Sequence, residues 1–233
     1  MAHRTPRCSA WVPETRIGIW FQGTSVWRNY VLGPALDELF GLLGPDRSAR
    51  SILDAGCGDG AALLRLRERF GPERLVGVDI DPDMVRKAGP NARAADARVE
   101  CADLRKLDWS DASFDLVLCH QTLHHVSDQE GALCELHRVL APGGALLVSE
   151  SCRSFISRTW VRLFFRHPEE SQHSPDAYVQ MVERAGFAVR SEDVRHPSPP
   201  WARGPRRSRA AADAEPTQLL LVATRPGGPG LGS

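Results

Sequence analysis

The chain is poor in lysine. Only Lys87 and Lys106 stand among its 29 basic residues, so the rest of the positive charge is arginine, which reads as the codon usage of a GC-rich genome. Net charge is absent too, because 29 acidic residues balance the 29 basic ones. A neutral chain carries no global electrostatic footprint for nucleic acid or an acidic membrane, which leaves only a local basic patch open. No apolar run approaches the ~18 residues of a membrane span, and the first residues lack the apolar stretch of a signal peptide. There is no CxxC spacing. The six cysteines (Cys8, Cys57, Cys101, Cys119, Cys134 and Cys152) are scattered, most of them in apolar runs where cysteine acts as a small hydrophobe. A disulfide scaffold is therefore not expected, and a reducing, cytoplasmic setting is.

What is present is ordinary globular composition: 42% apolar and 25% charged over 233 residues. That is one domain with extensions, long enough to bury about 70% of its unfolded surface. Residues 1–48 are expected to form a leader and a helical lid. The helix should carry Leu36, Leu39, Phe40 and Leu43 on one face and stop at Gly44-Pro45-Asp46. From residue 49 strands and helices alternate. Strands are expected at 51–55, 75–79, 99–102, 114–119, 145–150, 187–195 and 218–224. Helices are expected at 61–70, with Leu63, Leu64 and Leu66 inward, and at 83–88, 130–140 and 174–185. The pattern predicts a Rossmann-like, doubly wound α/β fold with seven strands, mostly parallel, and an antiparallel strand at one edge. Residues 151–173 read as a cap insertion, 196–216 as a loop, and 226–233 as a disordered tail.

Three strand ends carry chemistry. The first strand runs into Asp54-Ala55-Gly56-Cys57-Gly58-Asp59-Gly60, where glycines let the backbone turn tightly and let a ligand approach the main chain. The second ends at Asp79, 23 residues after Gly56, where an acid can accept both hydroxyls of a ribose. The third ends at Asp103, which can accept a hydrogen bond from an exocyclic adenine amine. Downstream come Phe114-Asp115-Leu116-Val117, Leu123-His124-His125, Leu136-His137-Arg138-Val139-Leu140 and Pro142-Gly143-Gly144.

In that order and spacing the motifs resemble the class I S-adenosylmethionine-dependent methyltransferases, particularly the ubiquinone/menaquinone-biosynthesis type and small-molecule branch. The likeness is tight over residues 50–150 and loose over 174–225. It implies S-adenosyl-L-methionine as cofactor and residues 49–225 as the domain that binds it. It places Asp54, Gly56, Cys57, Gly58 and Gly60 against the methionine and ribose portion, Asp79 on the ribose hydroxyls and Ile80 on the adenine. Asp103 then takes the adenine amine, Leu104 lies beside the ring, and His120 lies near the sulfonium. Many relatives carry Asn or another small polar residue at the His120 position, so a histidine there is a departure.

A methyl on sulfonium is already activated, so the protein mainly has to align an acceptor and exclude water. An oxygen acceptor gains from a base, for which His120 stands first, then His124 and His125. No metal site is expected, because adjacent helical side chains do not face one another and no cysteine or carboxylate completes a set. Acceptor contacts are expected from Trp20, Trp27 and Tyr30 in the lid and from Phe155 and Trp160 in the cap, which also holds His167. Arg203, Arg206, Arg207 and Arg209 cluster in the late loop. The expected partner is a small-molecule acceptor. Nucleic acid is not expected, and a peptide acceptor or protein partner stays open. A cofactor-binding scaffold without activity, supporting a partner enzyme, and an NAD(P)-dependent oxidoreductase are the alternatives.

Overall fold

The computed structural model describes residues 15–165, 172–197 and 215–227. The expected leader, His167, the four arginines of the late loop and most of the tail lie outside the described residues, as does the side chain of Trp160. Two short helices open the described chain, α1 (Arg16–Gln22) and α2 (Ser25–Trp27), capped by the hydroxyls of Thr15 and Thr24. A π-helical turn over Arg28–Leu32 leads into α3 (Gly33–Leu43).

The core alternates β1 (Ser51–Ala55), α4 (Leu63–Phe70), β2 (Arg74–Asp79), α5 (Pro82–Ala94), β3 (Arg98–Cys101), β4 (Phe114–His120), α6 (Gln129–Val139) and β5 (Leu140–Ser151). The cap follows as α7 (Arg153–Ile156) and α8 (Thr159–Phe164). Then come α9 (Pro175–Arg184), β6 (Ala188–Arg195) and β7 (Gln218–Thr224). No described helix is long and apolar enough to cross a membrane.

The seven strands form one sheet in the order β3-β2-β1-β4-β5-β7-β6. All pairs are parallel except those of β7, which runs antiparallel between β5 and the edge strand β6. The period-two pleat sends β4 side chains to two cores. Leu116 and Leu118 pack with Leu36 and Leu39 of α3 and Leu63 and Leu66 of α4. Val117 and Cys119 pack with Leu133 and Leu136 of α6 and Tyr178 of α9. Helices thus cover both faces, and the strands read as continuous apolar runs for that reason.

Three local expectations need correction. Leu64 is 42% exposed, because the helical turn puts only Leu63 and Leu66 on the sheet. Helix α5 does not stop at 88 but runs through Pro90 to Ala94, because Ala88 and Ala92, one turn apart, are both buried, Ala88 against Gly60 and Ala92 in the core. The fifth strand begins at Leu140, pairing with Phe114 before the Pro142-Gly143-Gly144 turn rather than after it.

Candidate active site

After β1 the chain moves outward through β2 and β3, then returns to place β4 on the other side of β1. Neighbouring strands that leave in opposite directions open a crevice at their C-terminal ends. Here the two lips are the Gly56–Gly60 turn and the His120–Thr122 segment. Gly56 has φ +80°, and a Cβ on it would run into the Thr122 side chain, so the two lips meet at van der Waals distance. The turn is pinned from below: the N–H groups of Gly56 and Cys57 both donate to Val78 O at 2.8 Å.

The crevice widens into a cavity of about 930 Å³. Its floor holds Asp54, whose Oδ2 is buried with no partner among the described residues. Burial, then the nearby Asp79 and Asp59 carboxylates, raise the Asp54 carboxyl to about 7. A half-titrated, solvent-starved carboxyl of this kind suits a cationic partner. Asp79 accepts from Gly58 N on Oδ2 and from Asp81 N on Oδ1, both at 2.9 Å. Burial still pushes it upward, against those hydrogen bonds. Each oxygen keeps a lone pair for a ligand hydroxyl.

Asp103 lies farther out on the same wall with Leu104 and Ile80. Its carboxylate is held by Arg105, with Nη2 to Oδ2 at 2.6 Å and Nε to Oδ1 at 3.0 Å. These bonds draw its carboxyl below the ordinary range. They fix the carboxylate as an ionised acceptor and occupy much of its capacity.

On the opposite lip His120 is buried, and neither ring nitrogen has a partner among the described residues. Burial, then the neighbouring His124, lowers its imidazolium to about 3, so the ring is neutral at physiological pH. Trp27 meets it edge to face, with centroids 5.6 Å apart. The lid reaches the glycine turn as well, through Arg28 to Asp59 at 3.1 Å.

The structure brings Asp54, Gly56, Cys57, Gly58, Asp79, Ile80, Asp103, Leu104, His120, His125, Trp20 and Trp27 to one cavity. It does not bring Gly60, His124, Tyr30 or Phe155 to its wall. Gly60 turns inward at φ +77° against Leu63 and Ala88. Tyr30 is 66% exposed. Phe155 lies against Arg158 in the cap. Nδ1 of His124 lies 2.5 Å from Oε2 of buried Glu150, whose Oε1 accepts from Thr122 N and Leu123 N. That arrangement holds the turn after β4 in place.

Among the further residues that line the cavity are Met84 and Lys87 on α5, then Gln121 and Thr122 after β4. Gln121 adopts φ +52° and is anchored by its N–H to Ser149 O at 2.7 Å and by Ser151 Oγ on its Oε1 at 2.6 Å. Position alone could have found these two, since they follow the strand at the topological switch.

A family profile described as "Methyltransferase domain" matches residues 53–148. The chain is 32% identical over 193 residues to the demethylmenaquinone methyltransferase of Thermus thermophilus, covering 71% of this chain and 83% of that protein. It is 28% identical over 144 residues to phosphoethanolamine N-methyltransferase 3 of Arabidopsis thaliana, covering 60% of this chain but only 29% of the longer plant protein. In fold it is similar to an S-adenosylmethionine dependent methyltransferase from Mesorhizobium loti, with a TM-score of 0.62 and 23% identity over 88% of this chain and 99% of that one.

Proposed function

This chain belongs to the class I S-adenosylmethionine-dependent methyltransferases, and from that premise we propose that it methylates an oxygen, nitrogen or carbon atom of a small molecule, a specialised metabolite among the candidates. The observation that carries the reading is the buried Asp54 Oδ2, without a partner among the described residues, on a cavity that also holds Gly56, Asp79 and His120. S-adenosyl-L-methionine supplies, when bound, a methyl already activated on a sulfonium.

The chain's own residues do the rest. Asp54 takes the ammonium of the amino-acid portion, whose charge relieves a carboxylate crowded by two others. Asp79 takes the ribose hydroxyls while its backbone bonds keep it from rotating. Asp103, steered by Arg105, accepts from the adenine amine, with Ile80 and Leu104 beside the ring. Gly56 keeps the backbone bare where Thr122 of the opposite lip comes closest, and Gly58 beside it opens onto free space.

His120 is the group best placed to handle a proton. Its neutral ring, with neither nitrogen partnered among the described residues, can accept a hydrogen bond from an acceptor O–H or N–H and align it as the new bond to carbon forms; with its imidazolium held near 3 it passes the proton on to solvent instead of keeping it. Trp27 covers its edge and keeps water from that side. His124, tied to Glu150, positions the turn, and His125 lines the cavity near it. Relatives named for demethylmenaquinone and for phosphoethanolamine differ in acceptor, and the lid residues Trp20 and Trp27 at this centre are where this chain would select its own.

Titration calorimetry with S-adenosylhomocysteine tests the cofactor half. Asp79→Ala should weaken binding by about 1–3 kcal/mol, the cost of losing buried hydrogen bonds. A parent protein that shows no heat at millimolar ligand would remove the reading. Labelled cofactor incubated with an extract from the source organism, followed by mass spectrometry, would identify the acceptor.

A further inference from the structure

The cofactor reading uses the ends of β1, β2 and β3. It leaves a second group of buried polar side chains unused. Deep in the sheet, the face that packs on α3 and α4 is apolar across β4, β5 and β7. At the C-terminal ends of β4 and β5 the same face turns polar. His120 stands opposite Ser149 in register, and Ser151, two residues on, stands opposite Gln218. All four are buried. β5 and β7 lie beyond β4, away from the strands that carry Asp54, Asp79 and Asp103.

The two serines stand behind the cavity wall, and Gln121, which lines the cavity, rests on them. Ser151 Oγ donates to Gln121 Oε1 at 2.6 Å, and Gln121 Nε2 lies 3.5 Å from Ser149 Oγ, at the outer limit of a hydrogen bond. The amide oxygen is thus committed, while the amide nitrogen carries two hydrogens and has only that one weak partner among the described residues. The backbone is unusual as well. Asp96, Ala112 and Gln121 are the non-glycine residues with positive φ among the described residues, and Gln121, at +52°, is the one of them on the cavity. Glycine would adopt this conformation without steric cost, so a glutamine here is explained by what its carboxamide does.

We propose that Gln121 is a specificity-determining residue, donating its amide N–H to a carbonyl oxygen of the acceptor, and that the acceptor is a flat molecule whose methylated hydroxyl is conjugated with that carbonyl. This deepens the methyltransferase reading and rests on it. His120 and Gln121 are consecutive and both reach the cavity, so one small molecule can meet both. A base as weak as His120 is poorly matched to an ordinary alcohol, which holds its proton tightly. A hydroxyl conjugated with a carbonyl is more acidic, and a donor fixed on the carbonyl favours its charge further. The hydroxyl oxygen's lone pair forms the bond to the methyl carbon, and the S–C pair stays on sulfur. The O–H proton passes by way of His120 to solvent, and Gln121 meets the charge that builds on the carbonyl meanwhile. Trp20 and Trp27 offer flat apolar surfaces on the same cavity. A carboxylate in place of the carbonyl is disfavoured, because buried Glu150 holds the next two backbone N–H groups, of Thr122 and Leu123, from behind.

Matched phenols titrated onto the protein saturated with S-adenosylhomocysteine test this, read from the NMR signals of each probe. The 2- and 4-hydroxyacetophenones carry the carbonyl, the 2- and 4-ethylphenols have nearly the same shape without it, and the 2- and 4-hydroxybenzoates carry a carboxylate. At least one hydroxyacetophenone should bind about tenfold tighter than its ethylphenol, the effect of one neutral buried hydrogen bond. Gln121→Gly removes the amide and relaxes the backbone, so its urea midpoint should equal or exceed the parent's while the preference disappears. Gln121→Glu keeps an oxygen for Ser151 but loses the donors, and should lose the preference too. A glutamine that only braces β4 against β5 gives the opposite result, a lower midpoint for Gln121→Gly with the preference kept, and that overturns the proposal. So does a parent that binds neither ketone better than its ethyl analogue, or that binds the hydroxybenzoates tighter than the ketones. Binding of S-adenosylhomocysteine without a ketone preference leaves the methyltransferase reading standing, whereas calorimetry that shows no such binding removes both.

Discussion

The two walls of the cavity are built by opposite means. On one side stand strand ends and tight turns. Asp54, Asp79 and Asp103 leave three neighbouring parallel strands, and main-chain hydrogen bonds from Gly58, Asp81 and Arg105 fix the latter two. On the other side stands the lid, whose α1 and α2 are seven and three residues long and bring Arg16, Trp20, Trp27 and Arg28 to the cavity. Asp54 and Asp79, buried without a counter-ion among the described residues, suit a cationic ligand and need a rigid frame, because misplacing them loses the hydrogen bonds and keeps the desolvation cost, while Asp103 has its own counter-ion in Arg105. Short helices with exposed apolar side chains have few internal bonds and can adjust to an acceptor. One wall is therefore specific by geometry, the other by composition.

The largest effect should come from breaking the rigid wall where it is most deeply buried. Glu150 is fully buried and ties β5 to the turn after β4 through Thr122, Leu123 and His124. Glu150→Ala leaves two backbone N–H groups and an imidazole nitrogen unmatched in the interior. We expect a loss of about 3–5 kcal/mol in urea denaturation. Glu150→Gln, which keeps the acceptor oxygen, should recover part of it. A loss under about 1 kcal/mol for Glu150→Ala would mean that the turn is held by the lid instead, and the contrast between the walls would fail.

How much of this was legible beforehand divides along the same line. β1 at 51–55 and β7 at 218–224 have the bounds expected of them, because continuous apolar runs closed by glycine or proline leave little choice. The glycine turn and the three acids were legible because each sits where a strand must end. The Glu150–His124 tie was not, because it spans 26 residues and becomes a contact only when β4 and β5 pair. The Arg105 clamp on Asp103 is only two residues away in sequence, yet nothing in that spacing distinguishes it from a solvated arginine. In the lid, the aromatic content was plain while its partition was not. Trp27 faces His120 and Tyr30 faces out, and the π-helical turn over Arg28–Leu32 shifts the register between them.

A second, intermediate effect sharpens the comparison within the cavity. Asp54 and His120 are both buried, and their titrations oppose one another. The Asp54 carboxyl rises from 3.8 to about 7, so between these values the folded state holds a proton that the unfolded state has lost, and stability falls as pH rises. Asp79 is shifted in the same sense. The His120 imidazolium falls from 6.5 to about 3, so over that window the unfolded state holds the extra proton, and stability rises with pH. Where the windows overlap, the slopes offset, each at roughly 1.4 kcal/mol per pH unit. Asp79 adds to the Asp54 side, so the parent should decline gently from pH 4.5 to 6.5. His120→Gln should steepen that decline, and Asp54→Asn should flatten or reverse it. Parallel profiles for the two variants would show that the two groups do not share one desolvated cavity.

The smallest effect belongs to an ion pair that joins the walls, Arg28 to Asp59, with side chains 43% and 24% exposed. An exposed pair of this kind contributes only about 0–1 kcal/mol, so Arg28→Ala should barely change the denaturation midpoint. Its effect should appear in kinetics instead. Arg28 begins the π-helical turn that leads from the lid into α3, and Asp59 lies inside the glycine turn, so the pair closes the lid over the ligand. Stopped-flow dissociation of S-adenosylhomocysteine should be severalfold faster in Arg28→Ala, and the difference should shrink in high salt as the parent's pair is screened. The exchanged variant Arg28→Asp/Asp59→Arg should return toward the parent rate if attraction across the gap is what matters. If dissociation is unchanged, the lid adapts without being latched, and the adjustable wall is looser than the ion pair implies.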